Sequence, residues 1–112
     1  MLNVRYIQSN GGDFMVGGKQ YEFIDKLKSL TCVEEIWLYG SRARGDHHDR
    51  SDVDLALLCP QATAADLQRI NEIIEQADTL LKIDCIQFDR ESCDDALYHN
   101  ILRDKKVIYV KK

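Results

Sequence analysis

Three aspartates stand among apolar neighbours in this chain: Asp52 and Asp54 in "SDVDLALL", and Asp84 in "LKIDCIQF". Burying an unpaired charge is costly, so strands bound for a core usually exclude carboxylates. Side chains alternate along a strand, which puts Asp52 and Asp54 on one face, roughly 6.6 Å apart at about 3.3 Å per residue. Two carboxylates held that way repel each other unless a cation sits between them. Hard divalent ions meet that need, because Mg²⁺ is commonly held by one or two carboxylates plus substrate phosphates. Paired ions in such sites lie about 3.5–4 Å apart, a separation this spacing can bracket. Taken alone, D-x-D also fits two strand-edge carboxylates facing solvent.

The turn upstream adds a second half. Gly40 can take backbone conformations closed to other residues and lets a ligand approach the chain. Ser41 offers a hydroxyl and an amide to phosphate oxygens, and a helix starting there would add its free amides and dipole. Arg42, Arg44 and Arg50 follow in a small polar loop. Arginine's planar fork of donors matches phosphate geometry. With Asp46 and Asp49 among the arginines the alternative is a solvated, charge-balanced surface loop, but metals plus a triphosphate cradle within fifteen residues make a coherent site. With Ser51 added, Gly40, Ser41, Arg42 and Arg44 form the candidate phosphate-binding set. Asp84 is the third acid. If its strand lies beside that of Asp52 and Asp54, three carboxylates converge, and Asp84 can help hold a metal and deprotonate an attacking hydroxyl. Asp89, the competitor for that role, sits at the polar end of its strand. His47 and His48 read as surface residues, since a hard-oxygen site needs no imidazole, and His99 reads as a packing or partner-contact residue.

The elements that must position these groups follow from periodicity. Tyr21, Phe23, Ile24, Leu27 and Leu30 recur at helical spacing and predict a helix over 20–30. Strands are predicted over 34–39 and 53–59. Thr63 and Asp66 have capping-box spacing and open a helix whose core stripe is Leu67, Ile70, Ile73, Ile74, Ala77 and Leu81. A third strand spans 82–88. Ser92 to Asp95 repeats the cap pattern before a short helix to about residue 103, and 106–110 is the last strand. This alternation predicts a two-layer α/β (α+β) domain with a small sheet.

At 112 residues the chain holds one domain. Residues 1–18, with two Gly-Gly pairs, read as an N-terminal leader, a short strand or hairpin or a loose segment; residues 19–112 carry the domain. A net charge of −4 argues against direct nucleic-acid binding, which needs a basic footprint. The chain has no apolar run of membrane-spanning length and no signal-peptide layout, so a cytoplasmic location is expected. Cys32, Cys59, Cys85 and Cys93 are scattered without a C-x-x-C pair and are expected as reduced, structural thiols in that compartment.

Tyr39-Gly40-Ser41, ten residues, then Asp52-Val53-Asp54-Leu55 resembles the signature of the DNA polymerase β-type nucleotidyltransferase superfamily. With "GSRARG" and the later strand around Asp84, the chain is similar to its minimal nucleotidyltransferases (MNT), the antitoxin halves of HEPN–MNT toxin–antitoxin pairs. The resemblance spans about residues 20–110 and implies a small mixed sheet with helices packed on it, palm-like in the manner of polymerase β. It implies metal-dependent transfer of AMP from ATP to a hydroxyl, a tyrosine of a HEPN toxin encoded nearby. Gly40 and Ser41 would hold the triphosphate. Asp52, Asp54 and Asp84 would be catalytic and carry two Mg²⁺ ions, for which Mn²⁺ can substitute. Larger relatives append domains that hold the acceptor; here none is expected, so the acceptor must come from another chain in a hetero-oligomer, or from a homodimer. Two other readings stay open: an antitoxin that only binds and masks its partner, and a transferase acting on a small-molecule hydroxyl.

Overall fold

The computed structural model describes residues 21–112 and, before them, two short strands, Val4–Arg5 (β1) and Asp13–Phe14 (β2), paired antiparallel. The leader expected over 1–18 is described at these strands alone; its remainder lies outside the described residues. The first predicted helix forms as Glu22–Lys28 (α1), shorter than its apolar pattern suggests and without a side-chain cap. Isolated helices shorter than about 12–15 residues are marginal. Burial of Phe23, Ile24 and Leu27, at 1% exposure or less, therefore holds it in place. Each such side chain contributes roughly 1.5–3 kcal/mol.

The predicted strands appear as Glu35–Tyr39 (β3), Val53–Leu58 (β4), Ile83–Gln87 (β5) and Lys106–Val110 (β6). Between β3 and β4 lies a one-turn helix, Ser41–Arg44 (α2). The sheet order is β5-β4-β3-β6, with β3 antiparallel to both β4 and β6 and β5 parallel to β4. The sheet is mixed, as the resemblance implied.

Helix Ala64–Glu75 (α3) begins on the predicted capping box. Thr63 Oγ1 accepts from the Asp66 amide at 3.1 Å, and Asp66 Oδ2 accepts from the Thr63 amide at 2.9 Å. Ala77 and Leu81, expected within the helix, lie beyond its end but still pack on the core. Helix Asp95–Asp104 (α4) is capped by Asp94, whose Oδ1 accepts from the Leu97 amide at 2.8 Å. Ser92, the cap expected from the sequence, instead donates its amide to Asp89 Oδ1 at 2.6 Å, and Glu91 does the same at 2.9 Å. Asp89 thus serves a turn.

Alternation along β3 and β4 separates two cores. Ile36, Leu38, Val53, Leu55 and Leu57 pack with Phe23, Ile24, Leu27 and Ile70 of α1 and α3. Trp37, Tyr39 and Ala56 face the other way and pack with Phe88, Cys93 and Ile101. Helices therefore cover both faces, three layers rather than the two predicted. The second face is aromatic: Phe88 lies 4.7 Å from both Trp37 and Tyr98, stacked on the latter. Lys105 Nζ sits 3.9 Å over the Trp37 ring. All four cysteines are free, with Cys59 and Cys93 buried. Among the described residues no helix is long and apolar enough to cross a membrane.

Candidate active site

Strand register brings the acids together. Asp84 on β5 pairs with Asp54 on β4, and Tyr39 on β3 pairs with Asp54 from the other side. Adjacent strands are about 4.8 Å apart, so Tyr39, Asp54 and Asp84 form a row across three strands on the face that carries α4. Asp52 precedes Asp54 on that same face and is exposed. Burial pushes the Asp54 carboxyl above its ordinary range, and the negative charges of Asp84 and Asp52 push it the same way against Lys82 and Arg44. The Tyr39 phenol is pushed well up by burial, then by Asp84 and Asp54.

The donor set fits a divalent ion: hard oxygens on one face, whose mutual repulsion, offset only in part by Lys82 and Arg44, a cation would relieve. Among the described residues no three His, Cys, Asp or Glu side chains have already closed to metal-holding distance.

Gly40 sits against this row. Its φ of 76° and ψ of −157° belong to a region essentially reserved for glycine. A Cβ at this position would overlap Asp54 Oδ2. The Gly40 carbonyl accepts from the amides of Ala43 at 3.1 Å and Arg44 at 3.0 Å, which winds α2 and makes Ser41 its first residue. With only four residues in α2, any macrodipole there is small.

The other members of the predicted phosphate set are engaged elsewhere. Arg42 is buried and donates Nε and Nη2 to the Ser51 carbonyl at 3.2 and 3.0 Å, with Nη2 also 3.1 Å from the Asp49 carbonyl. Ser51 Oγ accepts from the His48 amide at 3.0 Å. Both residues fix the loop that leads into Asp52. Arg44 bridges Asp46 at 3.1 Å and Asp104 at 3.0 Å, tying α2 to the end of α4. His47 and His48 are exposed, and the His48 ring Nδ1 accepts from the Arg50 amide at 3.3 Å.

Arg42→Ala would strand those carbonyls, and losing a hydrogen-bonded buried charge costs about 2–4 kcal/mol. Urea unfolding of the variant should show a loss of that size. Lysine at this position should not restore it, because a point charge lacks the fork.

An open cleft of about 1080 Å³ adjoins the row on the Asp52 side, lined among others by Tyr21, Arg50, Asp52, Leu80 and Lys82. Its lining includes neither Asp54 nor Asp84, and carries the carboxylates of Asp49, Asp52 and Asp78. In the sequence Lys82 is the first residue of the strand predicted over 82–88. Its signal was the K-x-D alternation with Asp84, legible only once β5 is known to lie beside β4.

A Gly-Ser turn between two strands, presenting carboxylates in register, defines a nucleotidyltransferase core. Residues 22–112 match the family described as "Polymerase beta, Nucleotidyltransferase", and the chain belongs to that family. Its fold is similar to that of a toxin–antitoxin complex solved with AMP-PNP, at 20% identity and a TM-score of 0.54, covering 80% of this chain and 73% of that one. A mutant of the toxin–antitoxin MntA–HpeT matches at 20% identity and 0.55, covering 80% and 71%. A Sulfolobus solfataricus protein assigned as a nucleotidyltransferase matches at 21% and 0.52, covering 80% and 76%. No curated protein matches the sequence. At these identities the likeness shows the fold.

Proposed function

We propose that this chain transfers AMP from ATP to a hydroxyl of a partner protein, as the antitoxin half of a toxin–antitoxin pair. The acceptor in this reading is a tyrosine of a HEPN-type toxin encoded nearby. The observation that carries it is the register of Asp54 with Asp84, with Asp52 on the same face. Family membership and fold neighbours solved as toxin–antitoxin complexes, one with AMP-PNP, support it.

Two Mg²⁺ ions held by Asp52, Asp54 and Asp84 would neutralise charge on the phosphates and the attacking oxygen. Gly40 and Ser41 admit the triphosphate to the turn. Asp84, exposed on the edge strand, takes the proton of the acceptor hydroxyl. The acceptor oxygen bonds to the α-phosphorus as the α–β bridging bond breaks, and pyrophosphate leaves in line. Positioning and fixed electrostatics supply most of such a rate enhancement.

Intact-mass spectrometry tests this directly. The protein encoded beside this one is incubated with it, ATP and Mg²⁺, in parallel with Asp52→Asn. A gain of AMP units with the wild type only is the expected result. A stable complex with no mass gain from either would favour an antitoxin that acts by masking. Transfer to a small-molecule hydroxyl in place of the protein would replace the partner reading.

A further inference from the structure

A triphosphate bound at this turn needs cationic side chains whose donors are free, and the arginines of "GSRARG" are poorly placed to supply them. Arg42 spends Nε and Nη2 on loop carbonyls, and Arg44 spends Nε and Nη1 on Asp46 and Asp104. Two other cations, Arg50 and Lys82, line the cleft that opens beside Asp52, where they stand among the carboxylates of Asp49, Asp52 and Asp78. Neither side chain makes a hydrogen bond or ion pair among the described residues, and both are exposed.

Lys82 is seated by the sheet itself. Its carbonyl accepts from the Val53 amide at 2.9 Å, which sets it beside the Asp52–Asp54 segment. It stands two residues before Asp84, so the alternation of β5 carried one step back turns it to the side of the acidic row. Arg50 is brought to the cleft by the loop that Arg42 fixes.

We propose that Lys82 and Arg50 are the residues that hold the β- and γ-phosphates, so that the pyrophosphate end of the nucleotide lies in the cleft beside Asp52. The assignment rests on the nucleotidyltransferase reading of the site. A lysine ammonium serves phosphate as a point charge and arginine as a fork. Lys82 and Arg50 thus replace Arg42 and Arg44 as the main cationic contacts to the tail.

Calorimetric titration of the full chain with AMP-PNP and with AMP, both in Mg²⁺, separates tail contacts from contacts to the rest of the nucleotide. Wild type should bind AMP-PNP more tightly than AMP. Lys82→Ala and Arg50→Ala should each weaken AMP-PNP about tenfold, the size of one charge-assisted contact, and leave AMP unchanged. Lys82→Arg should recover most of the loss. Both alanine variants should stay folded, as their retained binding of AMP shows. Wild-type affinity for AMP-PNP in both alanine variants would overturn the assignment, as would an equal loss for both ligands. If the wild-type chain binds neither nucleotide, the functional reading beneath the assignment fails instead.

Discussion

Asp54→Asn is expected to abolish nucleotidyl transfer while making the metal-free protein more stable at neutral pH. The two effects have one cause. Asp54 is half-buried between Tyr39 and Asp84, and its carboxyl is pushed up by burial, by Asp84 and by Asp52. A group whose folded pKa lies above its unfolded one favours the fold while protonated, and that contribution is lost as pH rises through the folded value. The charged form therefore destabilises the empty site at neutral pH, and asparagine removes the charge without changing the shape. Thermal melting across pH should show the variant above wild type at neutral pH. The gap should close on acidification, as Asp54 takes up its proton. Added Mg²⁺ should raise the wild-type melting temperature and act more weakly on the variant, because binding to the native state stabilises it by mass action. Transfer should fall about 100- to 1000-fold or more, the loss seen when one group aimed at the reacting charge is removed. A variant less stable than wild type at neutral pH would contradict the repulsion at the centre of the site.

What the sequence reveals of this site is what local spacing encodes. The D-x-D pair declares its shared face by alternation, the Gly-Ser turn declares itself by composition, and Thr63 with Asp66 declares a helix start three residues apart. What it conceals depends on contacts between distant segments. Asp84 lies 30 positions from Asp54, and only the parallel pairing of β5 with β4 makes them neighbours. The same pairing brings Lys82 to the site. Arginine's long side chain hides Arg42 in the opposite sense: its residue type suggests a ligand for phosphate, whereas its partners are carbonyls seven and nine residues ahead. The third layer escaped because a short amphipathic helix reads alike whichever face of the sheet it covers. Asp94 caps α4 in place of Ser92 because the helix begins at Asp95, later than the Ser92 spacing suggests, while Ser92 belongs to the Asp89 turn.

Gly40→Ala and Gly45→Ala form a matched pair that should separate backbone strain from obstruction of the site. Both glycines have positive φ, 76° and 86°, and they bracket the same four-residue helix. At Gly45, in the left-handed region, a Cβ would meet nothing within 4 Å. Alanine there should cost only the conformational penalty, about 1–2 kcal/mol, and leave transfer close to wild type. Gly40 lies in a region that other residues rarely enter, at about 1–3 kcal/mol, and its Cβ would run into the Asp54 carboxylate. The atom most directly in its way is the far end of the Asp54 side chain, so a turn of that carboxylate relieves the overlap at modest cost. The chain can answer only by shifting β3 from β4 or by turning Asp54 away from Asp84. Either response breaks the row, so Gly40→Ala should lose most transfer as well as stability. A double-mutant cycle with Asp54→Ala identifies the cause. Removing the carboxylate should recover part of the Gly40→Ala destabilisation, a coupling of about 0.5–3 kcal/mol for residues in contact. If the two substitutions add without coupling, Gly40 is held by its backbone geometry alone, and the close approach to Asp54 contributes nothing to its identity.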